Sequence, residues 1–314
     1  MRYALRRVVH SVLLLGAVSV LAFLISALAP GDFYTELQAD PRVSSETLTA
    51  LRAQNGLDRP LPVRYLLWLK SVGRGEFGYS LAYHGPVGPL LAQRIPGTLL
   101  LTGTATLLGW MLALPLGIWS AARRGSWPDL SLKVILSMLL ATPELLLMIM
   151  LLAFAVQSGF LPAGGMHSPG STGVIDLIRH LILPATVLTL GLLPVLIRHV
   201  RTAVSEAMDS AFAMAARAQG IPPGRILSRH LLPAALNPLI SLFGLSLGTL
   251  LSASLLVEVI AGWPGLGPLF LDAIFARDYA LVLGVILIST TFLIAGNLIA
   301  DLLLYRADPR IRLT

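Results

Sequence analysis

Cysteine is absent from this 314-residue sequence, which excludes disulfide and thiol chemistry. Lysine occurs only twice, as Lys70 and Lys133, and neither follows a glycine, so the phosphate-binding GxxxxGK(S/T) loop is missing. The HExxH metal motif and the GxSxG nucleophile motif are missing as well. We therefore predict no ATP site, no metal site and no catalytic residues in this chain, which argues against an enzyme.

Charged residues are also scarce: Asp, Glu, Lys and Arg make up 12% of the chain, against about a quarter in a typical soluble domain. Hydrophobic residues make up 55%, and the mean hydropathy is +0.79. This composition indicates an integral membrane protein that is surrounded by lipid.

Six apolar runs are long enough to cross a hydrocarbon core of about 30 Å, which takes roughly 20 residues. We predict spans at residues 9–29, 97–120, 134–158, 180–197, 236–260 and 281–304. The fourth is the shortest, and it contains Pro184 and Pro194. Because backbone groups in lipid must bond within their own segment, the spans should be helices. The predicted fold class is an all-α polytopic membrane protein.

Basic residues orient these spans, since short cytoplasmic loops carry an excess of arginine and lysine. The N-terminus, the second short loop, the segment after the fourth span and the C-terminus hold three, three, five and three basic residues. The two short loops on the other side hold only Arg179 and Arg277. We predict that both termini are cytoplasmic. The net charge of +7 is explained by these cytoplasmic basic residues, and we predict no nucleic-acid partner.

The chain divides into three parts in this scheme. Residues 1–29 form the cytoplasmic N-terminus and first span, residues 30–96 form a small external cap, and residues 97–314 form a five-span core. The core includes a cytoplasmic segment at residues 198–235.

The predicted cap contains two short helices. Ser44 is placed to cap the first, and Glu46 suits its positive end. Gly56 suits the end of that helix, and residues 63–72 can form the second.

The 198–235 segment should hold a slim helix. Residues 203–219 contain strong helix formers and no proline, Gly220 suits a left-handed stop, and Pro222 and Pro223 follow. Small side chains that would allow close approach to a groove on another protein occur at Ala213, Ala215, Ala216 and Ala218. The alternative is a solvated connecting helix.

The same segment resembles the loop by which permease subunits of bacterial ABC importers dock onto their ATPases. That loop reads EAA, three residues, Gly, nine residues, then Ile-x-Leu-Pro. The chain departs from it at Met214 and His230, although the peptide and nickel permease family commonly lacks the glutamate. The resemblance implies an ATPase-docking site formed by Met214, Ala215, Ala216, Arg217, Gln219, Gly220, Leu232 and Pro233. Arg217 is the candidate electrostatic anchor, and the alternative is a solvated arginine.

Further runs resemble the peptide and nickel permease family, specifically the first of its two permease subunits. They are Pro30-Gly31-Asp32, Gly56-Leu57-Asp58-Arg59-Pro60-Leu61, Gly75-Glu76-Phe77-Gly78-Tyr79-Ser80, His180-Leu181-Ile182-Leu183-Pro184-Ala185, Trp263-Pro264-Gly265-Leu266-Gly267 and Asp308-Pro309-Arg310-Ile311-Arg312. Phe33 and Gly262 depart from the family pattern.

This resemblance implies a transport subunit of the bacterial cytoplasmic (inner) membrane, with six spans of the importer-permease type. It implies four kinds of partner: a second similar permease, two ATP-binding subunits that use ATP and Mg, and an external solute-binding protein. The binding protein would contact the outer loop at Trp263, Pro264 and Gly265. The implied solute is a peptide, with nickel or another metal chelate, glutathione or an oligosaccharide as alternatives.

Ionisable residues within the spans raise an alternative from another class. Glu144 follows Pro143 in the third predicted span, where it could line the solute path or serve as the ion-coupling group of a secondary transporter. Glu258 and Asp301 lie nearer span ends, where pairing is the simpler interpretation.

Small residues in the spans favour close helix packing. The pair Gly244 and Gly248 has the small-xxx-small spacing, and packing within this subunit is the default interpretation, with a partner permease as the alternative.

Overall fold

The computed structural model describes residues 2–28, 34, 44–54, 56 and 58–307, and this part of the chain is almost entirely helical. The helices are α1 Arg2–Leu28, α2 Ser45–Gln54, α3 Leu61–Val72, α4 Val87–Ala122, α5 Trp127–Ala141, α6 Glu144–Ser158, α7 Val174–Met208, α8 Ala211–Ala218, α9 Pro223–Ile226, α10 Leu232–Ile260, α11 Leu266–Phe275 and α12 Tyr279–Ala307. A π-helical turn, Leu227–Leu231, joins α9 to α10. The strands β1 (Tyr79–Ser80) and β2 (Gly85–Pro86) form an antiparallel hairpin before α4. The predicted all-α class is confirmed.

Five stretches of the described chain are helices long and apolar enough to cross a membrane. They are Arg6–Leu28, Val87–Ala122, Val174–Met208, Pro223–Ile260 and Tyr279–Arg306. The helices α5 and α6 meet this condition only as a pair, with an angle of 97° between them. When the pair counts as one broken span, the described residues contain the six spans predicted from the sequence.

The prediction of a continuous third span at residues 134–158 is wrong in its geometry. The helix stops at Thr142 and Pro143, whose ψ angles of 118° and 137° are extended. Proline disfavours a helical conformation in the residue before it and cannot donate to the helical ladder, so the break falls where Pro143 occurs. The Thr142 hydroxyl donates to the carbonyl of Met138 at 2.9 Å and so occupies one carbonyl at the end of α5.

The fourth predicted span, residues 180–197, lies inside the longer helix α7, which has 35 residues and continues through Pro184 and Pro194. Hydropathy marks only the apolar middle of this helix, whereas helix formers extend it at both ends. Most of its apolar side chains are buried, and it packs against α5, α6 and α10. The second predicted span likewise lies inside a longer helix, α4, which begins at Val87.

The chain forms two compact units. One comprises the described residues within Met1–Gly97 and Pro264–Phe292, and the other those within Thr98–Trp263 and Leu293–Thr314. We refer to them as unit 1 and unit 2.

Glycines allow close helix packing in unit 2. A Cβ atom at Gly244 would lie 2.6 Å from the Cβ of Ala300, and one at Gly248 would collide with Leu293. These contacts join α10 to α12 of the same chain, so the prediction that the glycine pair packs within the subunit is confirmed.

Unit 1 contains an aromatic cluster between α1 and α3. The ring of Phe23 lies 5.3 Å from that of Tyr65 and 6.0 Å from that of Trp68, measured between ring centroids. The hydroxyl groups of Ser19 and Tyr65 are hydrogen bonded at 2.9 Å. These contacts fix α3 against the first span.

The two helices predicted for the cap are present as α2 and α3. The Ser44 hydroxyl accepts a hydrogen bond from the Thr47 backbone N–H at 3.1 Å, as predicted for a helix cap. Gly56 has a φ of +65°, in agreement with its predicted role as a stop. The motifs Pro30-Gly31-Asp32 and Asp308-Pro309-Arg310-Ile311-Arg312, together with Phe33 and Leu57, lie outside the described residues.

Asp278 joins the hairpin to the start of α12 within unit 1. Its buried carboxylate accepts hydrogen bonds from the Ser80 hydroxyl at 2.6 Å and from the Ala82 backbone at 3.1 Å. It also accepts from the Leu281 backbone at 3.2 Å, which satisfies an N–H group in the first turn of α12.

Candidate functional site

The 198–235 segment contains a break where the sequence predicted one helix over residues 203–219. The helix α7 ends at Met208, and α8 begins at Ala211. Ser210 is extended, with a ψ of 154°, and its hydroxyl accepts a hydrogen bond from the Ala213 backbone at 3.4 Å. A serine that caps the following helix competes with helix continuation, which is the physical reason for the break.

The eight-residue helix α8 has one buried face and one exposed face. Ala213 and Ala216 are buried and pack in a cluster with Ala207, Ile226 and Leu231. Two of the predicted slim-surface alanines therefore pack inside the chain. The exposed face carries Phe212, Met214, Ala215, Arg217, Ala218 and Gln219.

The end of α8 agrees with the prediction for Gly220, whose φ is +74°. The Ile221 N–H bonds to the carbonyl of Ala216 at 3.2 Å, and the Gly220 N–H bonds to that of Arg217 at 2.9 Å. The main chain turns after Gly220 and enters α9 at Pro223. These are the hydrogen bonds of a glycine-terminated helix, so Gly220 sets the direction of the chain after α8.

The second half of the predicted docking motif begins α10. Pro233 lies in the first turn, where its missing N–H costs little, and it is exposed. Leu232 is half-buried, and His230 is exposed in the preceding π-helical turn.

Arg217 and Asp209 hold the junction between α7 and α8. The Arg217 guanidinium donates to the backbone carbonyl of Met208 at 3.2 Å. Asp209 accepts two hydrogen bonds from Arg124, at 2.8 and 3.2 Å. The pKa of Asp209 is lowered, chiefly by the hydrogen bond from Arg124 and further by the positive charges of Arg124 and Arg217.

A buried carboxylate that the sequence analysis did not single out lies nearby. The Asp129 side chain has no exposed surface. Its oxygens accept from the Ser120 hydroxyl at 2.6 Å, the Gly125 N–H at 3.0 Å and the Arg201 guanidinium at 3.1 and 3.2 Å. Lys133 completes the set at 2.9 Å. This network joins α4, α5 and α7 within unit 2.

A sequence signal for part of this network does exist. Asp129 follows Pro128 in the first turn of α5, and Lys133 lies four residues later, the spacing of an ion pair on one helix face. The pairing of Asp129 with Arg201 joins residues 72 positions apart, and no pattern among neighbouring residues of the sequence indicates it.

Glu144 is the first residue of α6, directly after the break. Its half-buried side chain lies over Gly191 of α7, where a Cβ atom would be 2.5 Å from the carboxylate Oε1. The Glu144 carboxylate makes no hydrogen bond or ion pair with any other described residue. A pocket of 80 Å³ beside it is bounded by α7 and α10 and is mainly apolar, with Ser246 and Thr249 as polar groups.

The outer-loop residues predicted to contact a binding protein are largely buried within this chain. The Trp263 ring has no exposed surface, and its backbone N–H donates to the Glu258 carbonyl at 2.8 Å. Gly265 is buried and Pro264 is half-buried, whereas Gly262 is exposed. Within this loop the exposed surface therefore belongs to the neighbours of Trp263 and not to its ring.

The other ionisable residues of the spans are embedded to different degrees. Glu258 is fully buried near the end of α10, and Asp301 is half-buried in α12. His180 is buried, and its ring nitrogen lies 2.9 Å from the carbonyl of Asp176.

Family models match nearly the whole chain. A model described as a binding-protein-dependent transport system inner membrane component matches residues 113–313. A second model, for the N-terminal part of membrane components of binding-protein-dependent transport systems, matches residues 1–102.

Curated relatives share this full length. An oligopeptide transport system permease protein of Bacillus subtilis, AppB, is 37% identical over 312 residues, 98% of each chain. A putative peptide permease protein of Brucella ovis is 34% identical over 318 residues, with complete coverage of both chains. The glutathione transport system permease protein GsiC of Escherichia coli K12 is 31% identical over 313 residues, 99% of each chain.

Solved structures show the same fold. An inward-facing structure of the MetNI methionine ABC transporter matches with a TM-score of 0.55 and 23% identity, covering 70% of this chain and 96% of that one. An amino acid ABC transporter crystallised with histidines matches with a TM-score of 0.54 and 18% identity, covering 69% and 94%.

Proposed function

This chain belongs to the family of binding-protein-dependent transport system inner membrane components, and we propose that it forms one half of a peptide-conducting pathway that partner ATPases drive. It is a multi-pass inner-membrane transport subunit of an ATP-driven importer and not an enzyme. The observation that carries the proposal is α8, a separately capped helix outside the spans with an exposed face. Peptide as the solute rests on the names of the Bacillus and Brucella relatives, and glutathione is the second candidate because of GsiC.

The exposed face of α8 is the proposed ATPase-docking surface. It combines the apolar side chains of Phe212 and Met214, which are 45% and 57% exposed, with Arg217 and Gln219. Exposed apolar side chains on a short helix fit an apolar groove on a partner, as in helix-in-groove recognition. Loss of their exposure on docking would favour the complex.

Movement of α8 has a physical route to the spans. Its buried face packs on residues of α7 and on Ile226 and Leu231, which lead directly into α10. The helices α7 and α10 are also the ones that bound the pocket beside Glu144. A displacement of α8 during the ATPase cycle would therefore shift both helices at this pocket, which is the proposed basis of alternating access.

Glu144 is the proposed solute-path residue. Its carboxylate is half-buried, so it would attract the charged amino group of a peptide more strongly than a fully hydrated carboxylate would. Gly191 leaves the space that this side chain occupies.

The family implies ATPase, solute-binding and permease partners in general. We propose two ATP-binding subunits that use ATP and Mg, one second homologous permease and one external binding protein. We also propose cytoplasmic termini, which would place the 198–235 segment on the ATPase side and the loop around Trp263, Pro264 and Gly265 toward the binding protein.

The test begins with gentle purification of this chain from its native membrane and mass spectrometry of the proteins that accompany it. We expect a second permease and ATP-binding subunits. Reconstituted vesicles should then take up a labelled peptide only with ATP and the binding protein. Uptake by this chain alone under an ion gradient would contradict the proposal and support a secondary transporter that uses Glu144.

A further inference from the structure

The geometry points to an anionic phospholipid site in the pocket between α5 and α7, with the lipid phosphate bound by Lys133, Arg198 and Arg201. This pocket, called the α5–α7 pocket below, has a volume of 280 Å³. It lies within unit 2. The inference is independent of the solute and of the partner subunits proposed above.

Positive charge is in excess at this pocket. Lys133, Arg198 and Arg201 line it, and Asp129 is the acidic side chain that pairs with two of them. The Asp129 carboxylate already accepts from the hydroxyl, backbone, ammonium and guanidinium donors described above. Two positive charges therefore remain uncompensated by this carboxylate, and a phosphate monoanion or dianion complements them.

Asp129 holds two of the three cations in place, and all three still have free donors. Arg201 uses its Nε and Nη2 atoms on Asp129, which leaves Nη1 available. Lys133 makes one ion pair from an ammonium group that has three donors. The Arg198 guanidinium is exposed and makes no hydrogen bond or ion pair with another described residue. Preorganised cations lose less side-chain entropy when an anion binds.

Apart from Ser120 and Ser137, the rest of the lining is apolar and suits an acyl chain. Leu132, Leu136 and Leu140 line the pocket from one face of α5, and the first and last are about 12 Å apart along the helix axis. Pro194 and Ile197 line it from α7. A polar head end followed by an apolar wall matches the shape of a phospholipid and not that of a free anion. The volume of 280 Å³ lies near the lower end for ligand pockets, about 300 Å³, so the pocket can hold a phospholipid headgroup and the first part of the acyl chains.

The depth of the pocket agrees with the headgroup level. Arg179 and Arg198 lie at the two ends of the apolar part of α7, 19 residues apart in the sequence. At 1.5 Å per residue this spacing is about 28 Å, close to the hydrocarbon thickness of about 30 Å. Trp127, at the first turn of α5, is 80% exposed, and tryptophan is enriched at membrane interfaces. Basic pockets between spans at this level bind anionic headgroups.

The test measures lipid retention by the purified full chain with native mass spectrometry. Phosphatidylglycerol and phosphatidylcholine with identical acyl chains are added in turn to the detergent micelles, and an apparent Kd is determined for each. We expect tighter binding of phosphatidylglycerol, and we expect R198Q to weaken it about fivefold, the effect of one basic residue at a membrane surface. The R198K variant should stay near the wild-type value.

The matched control is R123Q, because Arg123 is also exposed at this membrane boundary but does not line the pocket. It should leave the Kd unchanged. The double variant K133Q/R198Q should lower the affinity further. If the double variant does not fold, the Kd of R198Q alone tests the inference. Equal retention of the two lipids, equal losses in R123Q and R198Q, or displacement of the lipid by millimolar inorganic phosphate would overturn the inference.

Discussion

Arg124 and Asp209 form a two-bond ion pair, with nitrogen to oxygen distances of 2.8 and 3.2 Å. The pair ties the turn after α4 to the residue that ends α7, directly before α8. The helix α8 is therefore connected to the spans by an exposed charge pair as well as by its buried alanines. Both side chains are more than half exposed, so the connection is sensitive to pH and to salt.

The first prediction concerns the pH dependence of this pair. The folded-state pKa of Asp209 is lowered, so its stabilising contribution is complete above the unfolded-state pKa of about 4 and is lost as the pH falls through the folded-state value. The D209N variant lacks this contribution. We expect the Tm of the purified wild-type chain to fall more steeply than that of D209N when the pH is lowered below about 4. Parallel curves for the two proteins would contradict the assignment.

The second prediction separates docking from folding on α8 with two neighbouring alanines. Ala216 is buried against Ile226 and Leu231, so A216E should destabilise the segment by about 3 kcal/mol or more and reduce the amount of chain in the membrane. Ala215 is exposed, so A215E should leave that amount unchanged and reduce co-purification of the ATPases. Membrane quantity and ATPase recovery measure the two effects, and identical behaviour of the variants would contradict the orientation of α8.

The third prediction compares two glycines around α8. Gly220 has a φ of +74° with open space around its Cβ position, so G220A should cost about 1 kcal/mol of backbone strain without a steric clash. Gly224 has equally open space and lies in the short helix α9, so G224A should be neutral or slightly stabilising. Thermal unfolding of the two purified variants checks the difference. The larger replacement G220E should in addition uncouple transport from ATP hydrolysis, and normal coupling would count against the docking role.

The fourth prediction uses Gly191 to displace Glu144 without changing its charge. A methyl group at Gly191 would lie 2.5 Å from Oε1 of Glu144, so G191A must move that side chain. We expect about tenfold slower peptide uptake in reconstituted vesicles, because small displacements at a binding site are costly. The control is G103A, since a Cβ atom at Gly103 has no neighbour within 4 Å. A wild-type uptake rate in a folded G191A variant would show that Glu144 does not line the solute path.

The fifth prediction concerns the buried carboxylate of Asp129. The D129A variant removes the acceptor that Arg201 and Lys133 share, and we expect it to lower stability by about 3 kcal/mol. The matched control is D272A in unit 1, which removes a carboxylate that accepts one exposed hydrogen bond, from Tyr83 at 2.9 Å, and should change stability little. Chemical unfolding of both variants measures the difference.

Features set by neighbouring residues were predictable from the sequence. Ser44 and Gly220 act through groups within five residues of themselves, so their roles at helix ends followed from residue type. The spans were recognisable because hydropathy sums over many residues. Pro143 was visible too, yet a hydropathy average does not register a break, and the third span was predicted as continuous.

Features set by distant residues were not predictable from this one sequence. The pairs Asp129 with Arg201 and Glu144 with Gly191 depend on how α7 packs against α5 and α6. The burial of Trp263 likewise follows from packing that no local pattern encodes. The helix α8 itself was predictable, but its buried face was not, because alanine tolerates both burial and exposure and leaves the choice to the neighbouring elements.

The bend between α5 and α6 has a consequence for where water enters the protein. Around Thr142 and Pro143 the main chain leaves the helical ladder, so the first N–H groups of α6 have no helical carbonyl one turn earlier to donate to. Hydrocarbon offers such groups no acceptor. The bend must therefore be hydrated or enclosed by protein, which makes it a polar point within an otherwise apolar span.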